Sequence, residues 1–178
     1  MDPGTVQITE PEIDELTGLQ NRRAFFAHAQ EAFAAAVASG ADCAAVFIDL
    51  DRLQYVNDTF GHHIGSELLR EAAAALSAIA EPTDVVGRLG GDEFALLRSA
   101  CELSTDELRA QVARQVERGS QSGSPHGLEV SVGIAVVSTK DVKSIDKLLS
   151  LADEDMYREK QASGGTHRGP HVRRRDRI

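Results

Sequence analysis

Arg88-Leu89-Gly90-Gly91-Asp92-Glu93-Phe94 sets two adjacent carboxylates beside a glycine pair, with apolar Val85-Val86 leading in and Phe94-Ala95-Leu96-Leu97 leading out. A two-residue Gly-Gly connection lets antiparallel strands reverse without splaying, because both central residues can take positive φ. The stretch therefore predicts a hairpin with an acidic tip. Asp92 and Glu93 repel one another unless a cation or a phosphate-bound metal lies beside them. Taken alone, the stretch reads as a solvated hairpin with surface acids. The remainder of the chain decides against that.

Upstream, Cys43-Ala44-Ala45-Val46-Phe47-Ile48 is a continuous apolar run that predicts a buried strand, and it ends on Asp49-Leu50-Asp51. Alternation along a strand puts side chains 49 and 51 on one face. The Arg52 to Asn57 segment then turns into a helix whose first amides lack partners. A strand-end carboxylate beside a helix amino terminus suits a divalent metal next to a triphosphate, with oxygen ligands for the metal and N–H groups for the phosphates. Asn57-Asp58-Thr59-Phe60-Gly61-His62 caps and turns, and Ser66 reads as the N-cap of an Ala-rich helix that runs through Ile79 and ends before Pro82.

Before the first strand, Asp14-Glu15-Leu16-Thr17-Gly18-Leu19 is a turn, followed by a helix whose apolar stripe is Phe25, Phe26, Ala29, Phe33 and Val37, stopped at Ser39-Gly40. After the hairpin, Ser104 to Val116 predicts a helix opened by a capping box of Ser104 and Glu107. Gly119 to Gly127 reads as a flexible Ser/Gly loop. Leu128 to Val137 reads as a strand with Gly133 where a backbone or ligand approaches closely, and Ser144 to Lys160 as a last helix with Leu148, Leu149, Ala152 and Met156 on its apolar side. The expected fold class is α+β, a mostly antiparallel central sheet covered by helices.

At 178 residues, 42% hydrophobic and 26% charged, the chain has the composition of one soluble domain. No apolar run approaches the roughly 20 residues that span a bilayer, and Met1 to Glu12 lacks the features of a signal peptide. The expectation is a cytoplasmic protein with no membrane partner and with Cys43 and Cys101 as reduced structural thiols. The formal charge of −9 is uneven, since residues 166–178 carry five Arg against one Asp and residues 1–165 sum to −13. An acidic body argues against nucleic acid as a partner but not against a nucleotide whose charge metal ions carry. The basic end reads as a disordered, solvated tail.

The residues together resemble the GGDEF domain of diguanylate cyclases. The match is carried by Asp14-Glu15-Leu16-Thr17-Gly18-Leu19-Gln20-Asn21-Arg22, by Asp49-Leu50-Asp51 through Asn57-Asp58 to Gly61-His62, and by the signature Arg88 to Phe94. Val130-Ser131-Val132-Gly133-Ile134, and Ala152-Asp153 with Met156-Tyr157 and Lys160, complete it. It covers about residues 12–165, leaving residues 1–11 as an extension and 166–178 as the tail. The resemblance implies a fold similar to the palm of polymerases and adenylate cyclases. It also implies a homodimer in which each protomer holds one nucleoside triphosphate, each 3′-hydroxyl attacks the other α-phosphate, and pyrophosphate leaves. Carried residue by residue, it gives Asp49, the Leu50 carbonyl and Asp92 to Mg²⁺ or Mn²⁺. Asp92 would also help deprotonate the hydroxyl, with Glu93 supporting the metal site. The amides near Arg52 and Leu53 would cradle phosphates, Lys160 would pair with them, and Asn57 would bind the base of GTP.

Several positions depart from the family pattern. Ser66 stands where an aspartate usually accepts from guanine. A hydroxyl can donate as well as accept, so it can face adenine N1, which a carboxylate would repel. A subset of the family with serine here, the hybrid promiscuous cyclases, makes 3′,3′-cyclic GMP-AMP from GTP and ATP. Relaxed base choice and plain helix capping both fit Ser66. Leu53-Gln54 replaces the usual Phe-Lys and Ser163-Gly164 the usual Gly-Arg, and each lost charge-assisted bond costs about 1.5–3 kcal/mol. Glu81-Pro82-Thr83-Asp84 stands at the product-inhibition motif without its arginine, which implies no feedback through that site. Two classes of function follow: a cyclase, or a degenerate module that binds nucleotide or a partner protein without turnover.

Overall fold

A computed structural model describes residues 11–122 and 127–162. The expected 166–178 tail, most of the 1–11 extension and Ser163-Gly164 lie outside them. The sheet is built on β2 (Asp42–Leu50), the predicted apolar run, of which all but Asp42 is buried. A strand buried on both faces needs neighbours on both sides, and β2 has them: β4 (Glu93–Arg98) and β5 (Val130–Ser138), both antiparallel. β3 (Val85–Arg88) pairs antiparallel with β4, and the two-residue β1 (Gln20–Asn21) pairs parallel with β3, giving the order β1-β3-β4-β2-β5. The expected mostly antiparallel α+β architecture is therefore observed. β1 was not expected, since two residues carry no periodicity.

Strand alternation divides the core in two. Cys43, Ala45 and Phe47 face α1 (Arg22–Ser39) and α5 (Ile145–Ala162), meeting Phe25, Phe33, Leu148 and Met156. Val46, Ile48 and Leu50 face the opposite layer, meeting Leu68, Leu69 and Leu76 of α3 (His62–Ile79) and Leu108 and Val112 of α4 (Thr105–Ser122). Gly133 lies where α5 crosses β5: a Cβ there would come within 1.9 Å of the Ala152 carbonyl oxygen, so the close approach expected at this glycine is to helix backbone. The outer edge of β5 is covered by side chains. Asp155 of α5 accepts from the Ile134 N–H at 2.9 Å, and Arg109 of α4, paired with Asp155, donates to the Val132 carbonyl at 3.4 Å.

Four local expectations are corrected. The loop between β3 and β4 is Leu89 to Asp92, four residues, and neither Gly90 nor Gly91 has positive φ. The buried Leu89 draws the chain inward, and Arg88 donates to the Gly90 and Gly91 carbonyls at 3.1 and 2.7 Å, so a side chain closes the loop that a tight primed turn was expected to close. The helix expected to begin at Ser66 begins at His62. Gly61, at φ 92°, makes the reversal from α2 (Leu53–Phe60) within one residue, and Ser66 falls in the second turn rather than at the cap. The capping box of Ser104 and Glu107 is present, but α4 continues to Ser122, into the expected loop, whose residues 123–126 lie outside those described; the Ser120 hydroxyl donates to the Leu128 carbonyl at 3.1 Å and accepts from the Leu128 N–H. In α1 the buried stripe closes on Ala36, and Val37 is exposed.

Candidate active site

The carboxylates gather at one end of the sheet because register puts them there. Asp49, the penultimate residue of β2, lies opposite Glu93, the first of β4. One step on, the Leu50 N–H donates to the Asp92 carbonyl at 3.0 Å, which draws the loop acid alongside the end of β2. Asp49 is 7% exposed, and Asp92 and Glu93 are half-buried. The Glu93 side chain folds back over Gly90, where a Cβ would stand 2.5 Å from Oε2. Gly91 has nothing within 4 Å of that position, leaving the loop open on that side.

Lys160, in the last turns of α5, reaches this cluster. Its Nζ lies 2.9 Å from Asp49 Oδ1 and 3.7 Å from Asp51 Oδ1. Ser131 of β5 donates from Oγ to the Asp51 carboxylate, 2.9 Å from each oxygen. Burial pushes the Asp49 carboxyl up, Lys160 pulls it down, and Asp92 and Asp51 push it up again, leaving it above its ordinary value of 3.8.

A second group surrounds α2. Arg52 stands at its N-cap in the left-handed region, φ 59°, with its guanidinium largely exposed and 3.9 Å from Glu129. Asn57 lies across α3 so closely that a Cβ on Gly65 would meet its Oδ1 at 2.0 Å and Leu53 Cδ1 at 3.1 Å. Asn57, Leu53 and the Gly65-Ser66 step thus form one neighbourhood, with Ser66 half-buried. Expected site residues therefore fall into two neighbourhoods: Asp49, Leu50, Asp92, Glu93 and Lys160 at the sheet end, and Leu53, Asn57 and Ser66 between α2 and α3. Arg52 joins neither through its side chain.

Two contributors were not anticipated as part of the site. Ser131 was visible only as part of a strand motif, and its parity on β5 is the signal that would have aimed it at Asp51. Arg88 spans the loop and the N-terminal turn, since beyond its bonds to Gly90 and Gly91 it pairs with Asp14 at 3.2 Å. Asp14 also accepts from the Thr17 N–H and hydroxyl at 3.0 and 2.7 Å. Burial works against the Asp14 carboxylate, but the bonds from Thr17 and Arg88 outweigh it and hold its pKa below the ordinary 3.8.

Among the described residues no group of three or more His, Cys, Asp or Glu side chains is clustered closely enough to chelate a metal by itself. The donor set nevertheless fits a hard divalent cation. A buried carboxylate, disfavoured by burial and by two acidic neighbours, holds an ammonium as its counter-charge, so a cation is what the position calls for. Among the described residues no helix is long and apolar enough to cross a membrane, and Cys43 and Cys101 are free and buried.

The comparisons agree with this geometry. Response regulator PleD of Caulobacter vibrioides is 38% identical over 159 residues, covering 85% of this chain and 34% of PleD. Diguanylate cyclase DgcM of Escherichia coli K12 is 36% identical over 148 residues, covering 83% and 35%. The chain spans about a third of the length of these relatives. Among solved structures, a sensory box/GGDEF family protein from Caulobacter crescentus superposes with a TM-score of 0.73 at 30% identity, over 85% of this chain and 99% of that one. The profile of the family described as diguanylate cyclase, GGDEF domain, matches residues 12–166, and with the acidic signature loop set against the end of β2, the chain belongs to the GGDEF-domain family.

Proposed function

We propose that this chain is the catalytic module of a nucleotidyl cyclase that joins two GTP molecules into cyclic di-GMP with release of two pyrophosphates. The observation that carries the reading is the Leu50–Asp92 backbone bond, which sets Asp92 beside Asp49 at the sheet end next to the amino terminus of α2. Asp49, the Leu50 carbonyl and Asp92 hold Mg²⁺ or Mn²⁺, which when bound neutralises phosphate charge and polarises the reacting oxygens. Asp92 accepts the proton of the attacking 3′-hydroxyl, and Glu93 supports the metal site. The amides at Arg52 and Leu53, at the amino terminus of α2, receive phosphate oxygens, as the first turn of a helix does. Asn57 hydrogen-bonds the base. Because each active half carries one triphosphate, two copies must face one another for each 3′-hydroxyl to reach the other's α-phosphate.

Base choice is the second part of the proposal. Ser66 does not cap α3, and it is half-buried in the step beside Gly65, where Asn57 lies. A hydroxyl there can serve either purine, so ATP enters alongside GTP and the mixed 3′,3′-cyclic GMP-AMP forms. The feedback site is closed in the same reading. The Asp84 carboxylate is buried against Arg98 at 2.8 Å and accepts from the Glu81 N–H, which leaves the surviving acid of that motif turned into the fold.

The test is product analysis by mass spectrometry after concentrated protein meets Mg²⁺ and equal ATP and GTP, with Asp92→Ala as control. Cyclic di-GMP lost in the control supports the cyclase, and a mixed ring supports the role of Ser66. Absence of any cyclic product sinks the cyclase reading in favour of a nucleotide-binding module.

A further inference from the structure

The cation that the Asp49 carboxylate holds in this structure is the chain's own. Lys160 Nζ is 2.9 Å from Asp49 Oδ1 and 3.7 Å from Asp51 Oδ1, with its side chain 17% and that of Asp49 10% exposed. The carboxylates facing that ammonium are Asp49 and Asp51 directly, with Asp92 adding its charge to Asp49 from the loop. Arg52, the nearest alternative cation in sequence, is 73% exposed and turned to Glu129. An ammonium at hydrogen-bond distance from a carboxylate oxygen, and a divalent ion on that same carboxylate, repel each other strongly where little water screens them. A metal therefore cannot settle on Asp49 until Lys160 withdraws. A lysine ammonium rides on a flexible four-carbon stem with three donors, so it can exchange one anionic partner for another nearby.

We propose that Lys160 is the resident counter-ion of Asp49, displaced by the divalent metal and handed to the phosphates, so that metal and triphosphate bind as one unit and neither binds well alone. This rests on the cyclase reading above for the identity of the triphosphate, but the exchange itself is a property of the Asp49–Lys160 contact. Metal without triphosphate must strand an ammonium, whereas metal arriving with phosphates supplies that ammonium with a new partner. Each ligand consequently raises affinity for the other by the same factor.

The experiment measures Mn²⁺ binding by electron paramagnetic resonance of free Mn²⁺, with and without a non-reacting α,β-methylene GTP, on wild type, Lys160→Met and Lys160→Gln. Circular dichroism checks that the variants are folded, and the glutamine variant serves where methionine does not fold. Without nucleotide, either variant is expected to bind Mn²⁺ about tenfold more tightly than wild type, because the competing charge is gone. The analogue should tighten Mn²⁺ binding severalfold in wild type and far less in the variants. Adding Asp49→Asn to the Lys160 variant should abolish the gain. Mn²⁺ affinity in the variants equal to or weaker than wild type overturns the exchange and leaves Lys160 as a phosphate ligand only. Cyclic dinucleotide from wild type with no such gain refutes the exchange and keeps the cyclase. A gain in Mn²⁺ affinity with no cyclic product from wild type does the reverse.

Discussion

Asp49 shows how one residue can be costly to the fold and useful to the site. Its carboxyl is raised above 3.8 by burial, against the pull of Lys160, with Asp92 and Asp51 adding to the rise. An acid with a raised folded pKa adds stability that is fully present below the unfolded value near 3.8 and is lost as pH rises through its folded value, so ionised Asp49 is a net cost at neutral pH. Asp49→Asn is therefore expected to raise the melting temperature in EDTA while turnover falls below detection. A drop in melting temperature on scanning calorimetry would count against this account of Asp49. Asp49 and Asp92 were legible as chemistry in the sequence and Lys160 only through the family resemblance, and the contact that joins Asp49 to Lys160 spans 111 positions, so no local pattern announces it. Ser66 was misplaced at a helix start because serine is a good cap and the sequence does not show that Gly61 has already made the turn. Cys43 gives a simpler test: burial pushes its thiol up to about 11, so it should resist alkylation at pH 8 until the protein unfolds.

At the scale of elements, the signature loop is held by Arg88. The guanidinium bonds two loop carbonyls and the Asp14 carboxylate, tying the turn at residues 13–19 to the segment that carries Asp92. Arg88→Met removes several charge-assisted bonds at once, each worth about 1.5–3 kcal/mol, and should lower both melting temperature and kcat. Unchanged kcat in the folded variant would mean that the loop holds its own shape. Because the Asp14 pKa is lowered, the stability it contributes is present above about 3.8 and lost as pH falls through its folded value. In Arg88→Met that acid-side loss should shrink, which paired melting curves at pH 3 and pH 7 would show. A second tie is Arg98, 2% exposed, donating to Asp84 and to the Ile79 carbonyl. Arg98→Ala should cost about 3–5 kcal/mol, because it leaves Asp84 charged in the interior, and a loss under 1 kcal/mol in urea unfolding would refute that. The helices were legible from their apolar stripes. The loop and the length of α4 were not, since side-chain bonds from Arg88 and Ser120 replaced the turn chemistry that glycine and serine suggest.

At the scale of the whole molecule, the central strand was the most legible feature, because an eight-residue buried run has few other places to go. One of the five strands could not be anticipated in the same way: β1, which pairs parallel with β3, is too short for a pattern. If two copies cooperate in turnover, the rate per protomer should climb with concentration over the range in which sedimentation detects dimers. A rate per protomer that stays flat while the dimer fraction rises across that range would exclude a shared reaction centre. The covering of β5 bears on how such copies can meet. With the Val132 carbonyl and the Ile134 N–H already occupied by Arg109 and Asp155, this margin of the sheet offers no free ladder at those positions for a neighbouring strand to extend. Any second copy is thereby kept from fusing its sheet to this one at those positions into a continuous ribbon.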